Sequence, residues 1–324
     1  MHIAITGAAG FLGSKLAKQL LTQGSLIGRS GQAEKISRIT MVDIAAAAGF
    51  SDPRIDVRVG DISDPAVIAS AITPDTHSVF HLAAIVSGHA ELDFDLGMKI
   101  NFDATRQILE RARALETRPR VIFTSSVAVF GGALPDTVPD TMSPVPQSSY
   151  GAQKAMGELL VNDYSRKGFI DGRILRMPTI SVRPGAPNKA ASSFASGIIR
   201  EPLNGQVSVC PVGGDTRMWL MSPRQAIRNL IHGHELDAGL FEASRILSLP
   251  GLSVTVRDMA DALASVAGSE TAQRIHWRED EAVKRIVNSW PGNFDATRAK
   301  ALGFTADTNF SDIIRAYLED DRTS

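Results

Sequence analysis

The chain has 324 residues, 44% hydrophobic and 21% charged, a balance that excludes a disordered or fibrous protein and suits a large domain with a smaller one attached. A net charge of −1 gives no electrostatic footprint for nucleic acid or an anionic membrane, and no apolar run reaches spanning length. The single cysteine, Cys210 in "QVSVCPV", cannot close a disulfide within the chain; it reads as a small buried hydrophobe and suits a reducing compartment. Because "MHIAITG" opens directly on a strand with no basic leader, a cytoplasmic protein is expected.

In chain order, short apolar runs alternate with stretches of helical spacing. "HIAITG" reads as a strand, "SKLAKQLLTQG" as a helix, and "ITMVDI" and "RIDVRVGDISD" as two further strands. Then come "DPAVIASAI" (helix), "SVFHLAA" (strand), "NFDATRQILERARAL" (helix), "RVIFTSSVAVF" (strand), "YGAQKAMGELLVNDYSRKG" (helix) and "GRILRMPTI" (strand). Near-continuous apolar strands separated by amphipathic helices predict an α/β fold with a doubly wound parallel sheet, whose ligands sit at the carboxyl ends of the strands. Beyond residue 180 the pattern loosens: "SSFASGIIREPLNG", "SPRQAIRNLIHGHEL" and "VTVRDMADALASVAG" read as helices, "QVSVCPV" and "SRILSLPG" as strands. This predicts a smaller mixed α/β lid. The expected division is a dinucleotide-binding domain over 1–178, with a return at about 218–248, and a lid built from 179–217 and 249–324. Between the two lies "SVRPGAPNKAASSF", where Pro184 and Pro187 remove backbone donors and predict an irregular arm.

"TGAAGFLG" sits between the first strand and the first helix. Gly7 permits the tight turn, Gly10 lets the backbone approach a pyrophosphate, and Gly13 allows close packing of helix on strand. The helix then opens on Phe11 and Leu12, where free N–H donors and the positive dipole end favour phosphates. In its strand–turn–helix context this is the dinucleotide signature of a Rossmann fold, although two residues separate the first glycines instead of one. Asp43 ends the second strand, placed to accept hydrogen bonds from ribose hydroxyls and to repel a 2′-phosphate. Charges 5 Å apart at an effective dielectric near 20 interact by about 3 kcal/mol, which selects NAD. The inserted "GSLIGRSGQAEKIS" lengthens the path to Asp43, and Arg29 or Arg38 could alter the choice by attracting that phosphate. Asp61 in "GDISD" is placed to accept from the adenine amine, with Ile62 stacking beside it, while Asp64 suits a helix cap.

Tyr150 and Lys154 stand four apart at the start of a helix, hence on one face. A phenol of pKa near 10 is no base at neutral pH. An ammonium about 4 Å away would contribute about 4 kcal/mol at that dielectric, or about 3 pKa units, and the positive nicotinamide ring would add to it. Ser126 closes the preceding strand, where it can hold the substrate oxygen.

Together, "TGAAGFLG", "GDISD", "HLAA", "TSSVAVFG" and "YGAQK" resemble the extended short-chain dehydrogenase/reductase family, also called the NAD-dependent epimerase/dehydratase family; the likeness runs to "FDATRAKALGF" near the end. The resemblance implies catalytic Ser126 (not Ser125), Tyr150 and Lys154, with Lys154 also holding the nicotinamide ribose. It further implies that Leu82, Ala83 and Ala84 line the riboses by backbone, that Pro178 borders the cofactor, that Asn101 structures the neighbouring helix, and that His81 is a packed strand residue. Paired helices at 102–115 and 150–166 would form a four-helix homodimer interface, as in the family.

That family spans sugar-nucleotide epimerases, dehydratases and simple dehydrogenases, and the arm bears on the choice. Nucleotide-sugar members usually carry asparagine where this chain has Thr179 in "LRMPT", and "TRMWLMSP" keeps Arg217 without the usual aspartate and tyrosine. The arm and that segment resemble instead members that oxidise the 2-hydroxyl of a four-carbon sugar acid, and the second segment also resembles L-threonine 3-dehydrogenases of the short-chain type. Expected substrate contacts are Ser126, Tyr150, Thr179, Arg183, Asn188, Ser192 and Arg217, with an arginine fork on the carboxylate of a small polyhydroxy acid. Tyr150 would remove the 2-hydroxyl proton while hydride leaves the same carbon, giving a 2-oxo acid. No metal is implied: "HGHE" at 232–235 lacks further ligands at suitable spacing. A nucleotide-sugar epimerase or dehydratase and a non-catalytic NAD sensor are the rival classes.

Overall fold

The computed structural model describes residues 1–187 and 189–322. In chain order its principal strands are β1 (His2–Thr6), β2 (Arg38–Asp43), β3 (Ile55–Val59), β4 (Thr76–His81), β5 (Arg120–Ser126), β6 (Asp171–Met177), β7 (Thr179–Ile180), β8 (Arg217–Met221), β9 (Ile246–Ser248) and β10 (Leu252–Thr255). Seven of them form one sheet in the order β9-β6-β5-β4-β1-β2-β3, every neighbouring pair parallel. The chain winds outward from β1 to β3, then returns to β4 and winds the other way. The order therefore reverses between β1 and β4, which opens a crevice at their carboxyl ends. All of β1 and β6 is buried, as strands covered on both faces must be.

Burial of β6 brings three charges inside, and each is paired. Asp171 accepts from Arg120 (3.3 Å), Arg173 (2.9 Å) and Arg245 (3.3 Å), while Arg176 clamps Glu158. The covering helices include α1 (Phe11–Gln23), α2 (Pro65–Ala71), α3 (Ala104–Ala114) and α4 (Ser149–Arg166). Asp64 caps α2 by accepting from Ala66 N, with Pro65 opening the helix, as the sequence predicts. Ser148 does the same for α4 through Gly151 N at 3.2 Å, which fixes where Tyr150 enters the helix. The insertion before β2 folds as a small hairpin, Ser25–Ile27 against Ala33–Lys35.

The later chain supplies α5 (Phe194–Leu203), α6 (Pro223–Glu235), α7 (Val256–Ala267) and α8 (Glu281–Val287). A second sheet runs β10-β8-β7, antiparallel then parallel, and Ser208–Cys210 pairs with Ile275–Trp277 in a third. Around them Val182, Phe194, Ile198, Cys210, Met218, Met259 and Ile313 build a separate core. The late chain is also tied to the loop after β5: Val138 N donates to Asn293 O (3.0 Å) and Asp295 N to Val138 O (2.9 Å). Among the described residues no helix is long and apolar enough to cross a membrane.

Candidate active site

The glycine-rich turn makes a cradle that side chains would fill. Gly7 has φ of 70°, and a Cβ there would lie 2.7 Å from Ala83 N, so the turn meets the end of β4 only through a glycine. At Gly13 a Cβ would lie 2.4 Å from Gly7 O, so α1 packs against the turn it follows. Gly10 caps α1, leaving the N–H groups of Phe11, Leu12 and Gly13 open, and no acid in the first turn opposes a phosphate. Leu82 N donates to Thr6 O (3.2 Å) and Ala83 N to Thr6 Oγ1 (3.4 Å), fastening this edge of the crevice. These features fit a dinucleotide.

Asp43 accepts from Ala9 N (3.0 Å) and Ala45 N (3.4 Å), so its carboxylate is held over the turn at the end of β2. The two arginines expected to complicate that site lie elsewhere. Arg38 begins β2 and pairs with Asp75 at 2.6 Å, and Arg29 donates to Thr117 O. Both are at the amino-terminal edge of the sheet, five residues of strand away in the case of Arg38. Asp61 accepts from Ser63 N (2.8 Å) and from Lys99 Nζ (3.4 Å); the Ser63 N–H is the main cause holding its carboxyl below the usual range. The stacking expected of Ile62 is corrected, because its side chain is 5% exposed and packs with Val42 and Ile68 in the core.

At the carboxyl ends of β4, β5 and β6 lies a cavity of about 210 Å³ that brings Ser126, Tyr150, Lys154, Pro178, Thr179, Arg183 and Ser192 together. Phe11, Leu12, Leu82 and Ala84 line its cofactor side. Ser126 lines the cavity beside Tyr150 and eases the ionisation of its hydroxyl. Ser125, its neighbour, is instead committed to Glu158 at 2.5 Å. This geometry separates the paired serines. Lys154 is 2% exposed, donates to Thr124 O at 2.8 Å, and is pulled down to about 8 by burial, with Glu158 resisting.

The source of the pull on Tyr150 differs from the sequence expectation. Burial pushes its phenol up to about 12, and the groups that oppose this are Arg183, by its charge, and Ser126, by its hydroxyl. Lys154 Nζ lies 5.7 Å from the centre of the tyrosine ring and faces the Thr124 carbonyl and the Phe123 ring. Arg183 is itself drawn down to about 10 by burial; its Nε donates to Ile180 O (2.9 Å) and its Nη2 to Ser192 Oγ (2.9 Å). No carboxylate pairs with it among the described residues.

Two expected contacts fall away. Arg217 opens β8 exposed to solvent, reaches Ser253 Oγ at 3.4 Å, and does not line the cavity. Asn188 lies outside the described residues. His81 is a core residue, bonded to Thr6 Oγ1 (2.7 Å) and Thr105 Oγ1 (2.9 Å), and burial brings it down to about 3. Asn101 clasps Ile85 through both its backbone groups and donates to Gln153 (2.7 Å). Trp290 and Ser87 also line the cavity and were not foreseen. Neither belongs to a motif; Trp290 arrives from a loop after α8 that no local pattern connects with the arm.

A model of the NAD dependent epimerase/dehydratase family matches residues 3–234. A D-erythronate dehydrogenase of Cupriavidus necator is 56% identical over 320 residues, covering 99% of this chain and 98% of the relative. One of the same name from Haemophilus influenzae is 47% identical over 322 residues, covering 99% and 100%. Among solved structures, a nucleoside-diphosphate-sugar epimerase from Agrobacterium tumefaciens superposes with a TM-score of 0.92 at 46% identity, over 99% of this chain and 94% of that one. An L-threonine dehydrogenase of Cupriavidus necator superposes at 0.84 with 24% identity over 99% of each chain, a likeness of fold alone.

Proposed function

Since the chain belongs to the NAD dependent epimerase/dehydratase family, we propose that it is an NAD-dependent dehydrogenase that oxidises the 2-hydroxyl of a small sugar acid of the D-erythronate type. The observation that carries this reading is one cavity holding both the Ser126–Tyr150 pair and Arg183, a guanidinium with no carboxylate partner among the described residues. A half-buried cation without an acidic partner calls for an anion, and its planar fork matches a carboxylate. A hexose nucleotide such as UDP-glucose has no carboxylate, its charge lying on the diphosphate.

Ser126 holds the substrate oxygen and Tyr150 takes its proton, the phenol favoured as a base by Arg183. Lys154 steadies the strand end through Thr124 O and would hold the cofactor ribose. Gly7, Gly10, Phe11, Leu12 and Gly13 would carry the pyrophosphate, Asp43 the adenosine ribose, and Asp61 and the Ile62 backbone the adenine. Leu82, Ala83, Ala84 and Pro178 would border the riboses and nicotinamide. Bound NAD supplies a positive ring that accepts the hydride given up by the carbon bearing the hydroxyl. Thr179 and Ser192 are proposed to contact the substrate beside Arg183.

NADH absorbance followed with D-erythronate, L-threonine and UDP-sugars tests the reading. Net NADH from the sugar acid is expected. The Agrobacterium structure's name favours a second reading, a nucleotide-sugar epimerase, which would convert a UDP-sugar without net NADH.

We propose the expected division into a cofactor domain over 1–178, with its return at about 218–248, and a lid from the remainder. A homodimer through α3 and α4 is supported by exposed apolar side chains on and beside them, Leu159 at 70%, Leu92 at 81% and Phe94 at 59%. The lone buried Cys210 supports a cytoplasmic setting.

A further inference from the structure

We infer that Trp290 is a specificity-determining residue whose indole N–H donates a hydrogen bond to a substrate hydroxyl beyond the reacting carbon; the inference rests on the sugar-acid reading above. Trp290 lines the same cavity as Arg183, Thr179 and Ser192. Its backbone is fixed by the turn that ends α8, Trp290 N donating to Val287 O at 3.1 Å, and its ring packs on the lid core. Yet its Nε1 is buried and has no hydrogen-bond partner among the described residues. Trp219 shows the ordinary solution, with Nε1 donating to Leu249 O at 3.2 Å.

A buried donor left unpaired costs about 1–3 kcal/mol, and proteins pair the great majority of such groups. One carried by a ring that lines a cavity points to an acceptor that arrives with the occupant. An indole N–H donates only, so the partner is an oxygen. Three roles in the site are already spoken for: Ser126 and Tyr150 face the reacting hydroxyl, and the permanent cation of Arg183 has the stronger claim on the carboxylate. The oxygens that remain in a polyhydroxy acid are its other hydroxyls. A site built to bond a hydroxyl rejects the analogue that lacks it, because the protein donor is then left bare. Trp290 therefore selects polyhydroxy acids over their deoxy counterparts. Since Nε1 is closed to solvent, its engagement includes a shift of the ring as the substrate enters.

The test compares kcat and KM for D-erythronate and its 3-deoxy and 4-deoxy analogues in wild type, Trp290→Phe and Trp290→His. Phenylalanine keeps an aromatic plate and deletes the N–H; histidine restores a ring N–H. Expected is a roughly 10–100-fold fall in kcat/KM for D-erythronate in Trp290→Phe, carried mainly by KM, as for the loss of one such bond. Turnover of one deoxy analogue stays within about twofold of wild type, so discrimination against it collapses, and Trp290→His recovers part of it. Equal losses on all three acids, or undiminished discrimination in an active variant, would overturn the inference. A wild type that makes no NADH from any of these acids would overturn the functional reading itself.

Discussion

Arg176 and Glu158 meet in a two-pronged ion pair, Nε to Oε1 at 2.8 Å and Nη2 to Oε2 at 2.7 Å, in a place where neither side chain is more than 4% exposed. Glu158 also receives the Ser125 hydroxyl, so one carboxylate joins β5, β6 and α4 directly beneath the cavity. Removing one partner leaves a bare buried charge. Glu158→Ala should lower unfolding free energy by about 3–5 kcal/mol, read from urea denaturation. Replacing both residues with methionine should recover much of that loss, since a well-packed apolar pair can match a buried ion pair in stability. A single variant as stable as wild type would show that the pair is idle.

Tyr150→Phe keeps the ring and removes the proton acceptor. Turnover should fall below about 1% of wild type, the scale of losing a general base. NAD affinity, measured by fluorescence titration, should stay nearly unchanged.

Arg183 makes the phenolate of Tyr150 easier to form, so deleting its charge moves the phenol further up. The acid-side limb of kcat/KM against pH should shift to higher pH in Arg183→Met and much less in Arg183→Lys. KM for the sugar acid should rise in the same variant. A limb that stays in place would separate Arg183 from the base.

Asp43→Ala should weaken NAD by about 1–3 kcal/mol through lost charged hydrogen bonds and should relieve repulsion of the NADP 2′-phosphate. The ratio of kcat/KM for the two cofactors should therefore narrow from both sides. Part of the NAD loss comes from the turn, because Asp43 also braces Ala9 N. A wild type that prefers NADP would overturn the assignment.

Three histidines tie stability to pH. His2 is brought down to about 4, His81 to about 3 and His234 well below its usual value, in each case chiefly by burial. The unfolded chain binds these protons near pH 6.5 and the folded chain does not, so stability falls as pH drops below 6.5. Each contributes about 1.4 kcal/mol of loss per pH unit in that window. Urea denaturation at pH 6.5 and 5.5, where carboxylates are nearly silent, should show the slope. Equal stability at the two values would mean that another group compensates.

The positions of the residues proposed for the cofactor were legible because their signals are local. Gly7, Gly10 and Gly13 fit one turn, Asp43 stands at a strand end, and Tyr150 and Lys154 share a helix face whatever the rest of the chain does. Ser126 could be placed at the end of β5 by the same logic. The substrate half depends on how distant segments cross. Arg217 and Arg183 look alike in sequence, yet one opens a strand toward solvent and the other turns beneath the arm beside Tyr150. The pull on the phenol was misassigned for the same reason: helical spacing puts Lys154 on the right face, but the Thr124 carbonyl decides where its ammonium points.

The strap between Val138 and residues 293–295 has a consequence for how the protein is made. A chain leaving the ribosome has β1 to β6 in hand by Met177 and can close the glycine cradle around its cofactor, since domains fold as units from the amino terminus onward. Trp290 and the strap emerge more than a hundred residues later. The nascent enzyme therefore gains its nucleotide grip early, and its power to choose among acids only after more than a hundred further residues have been made.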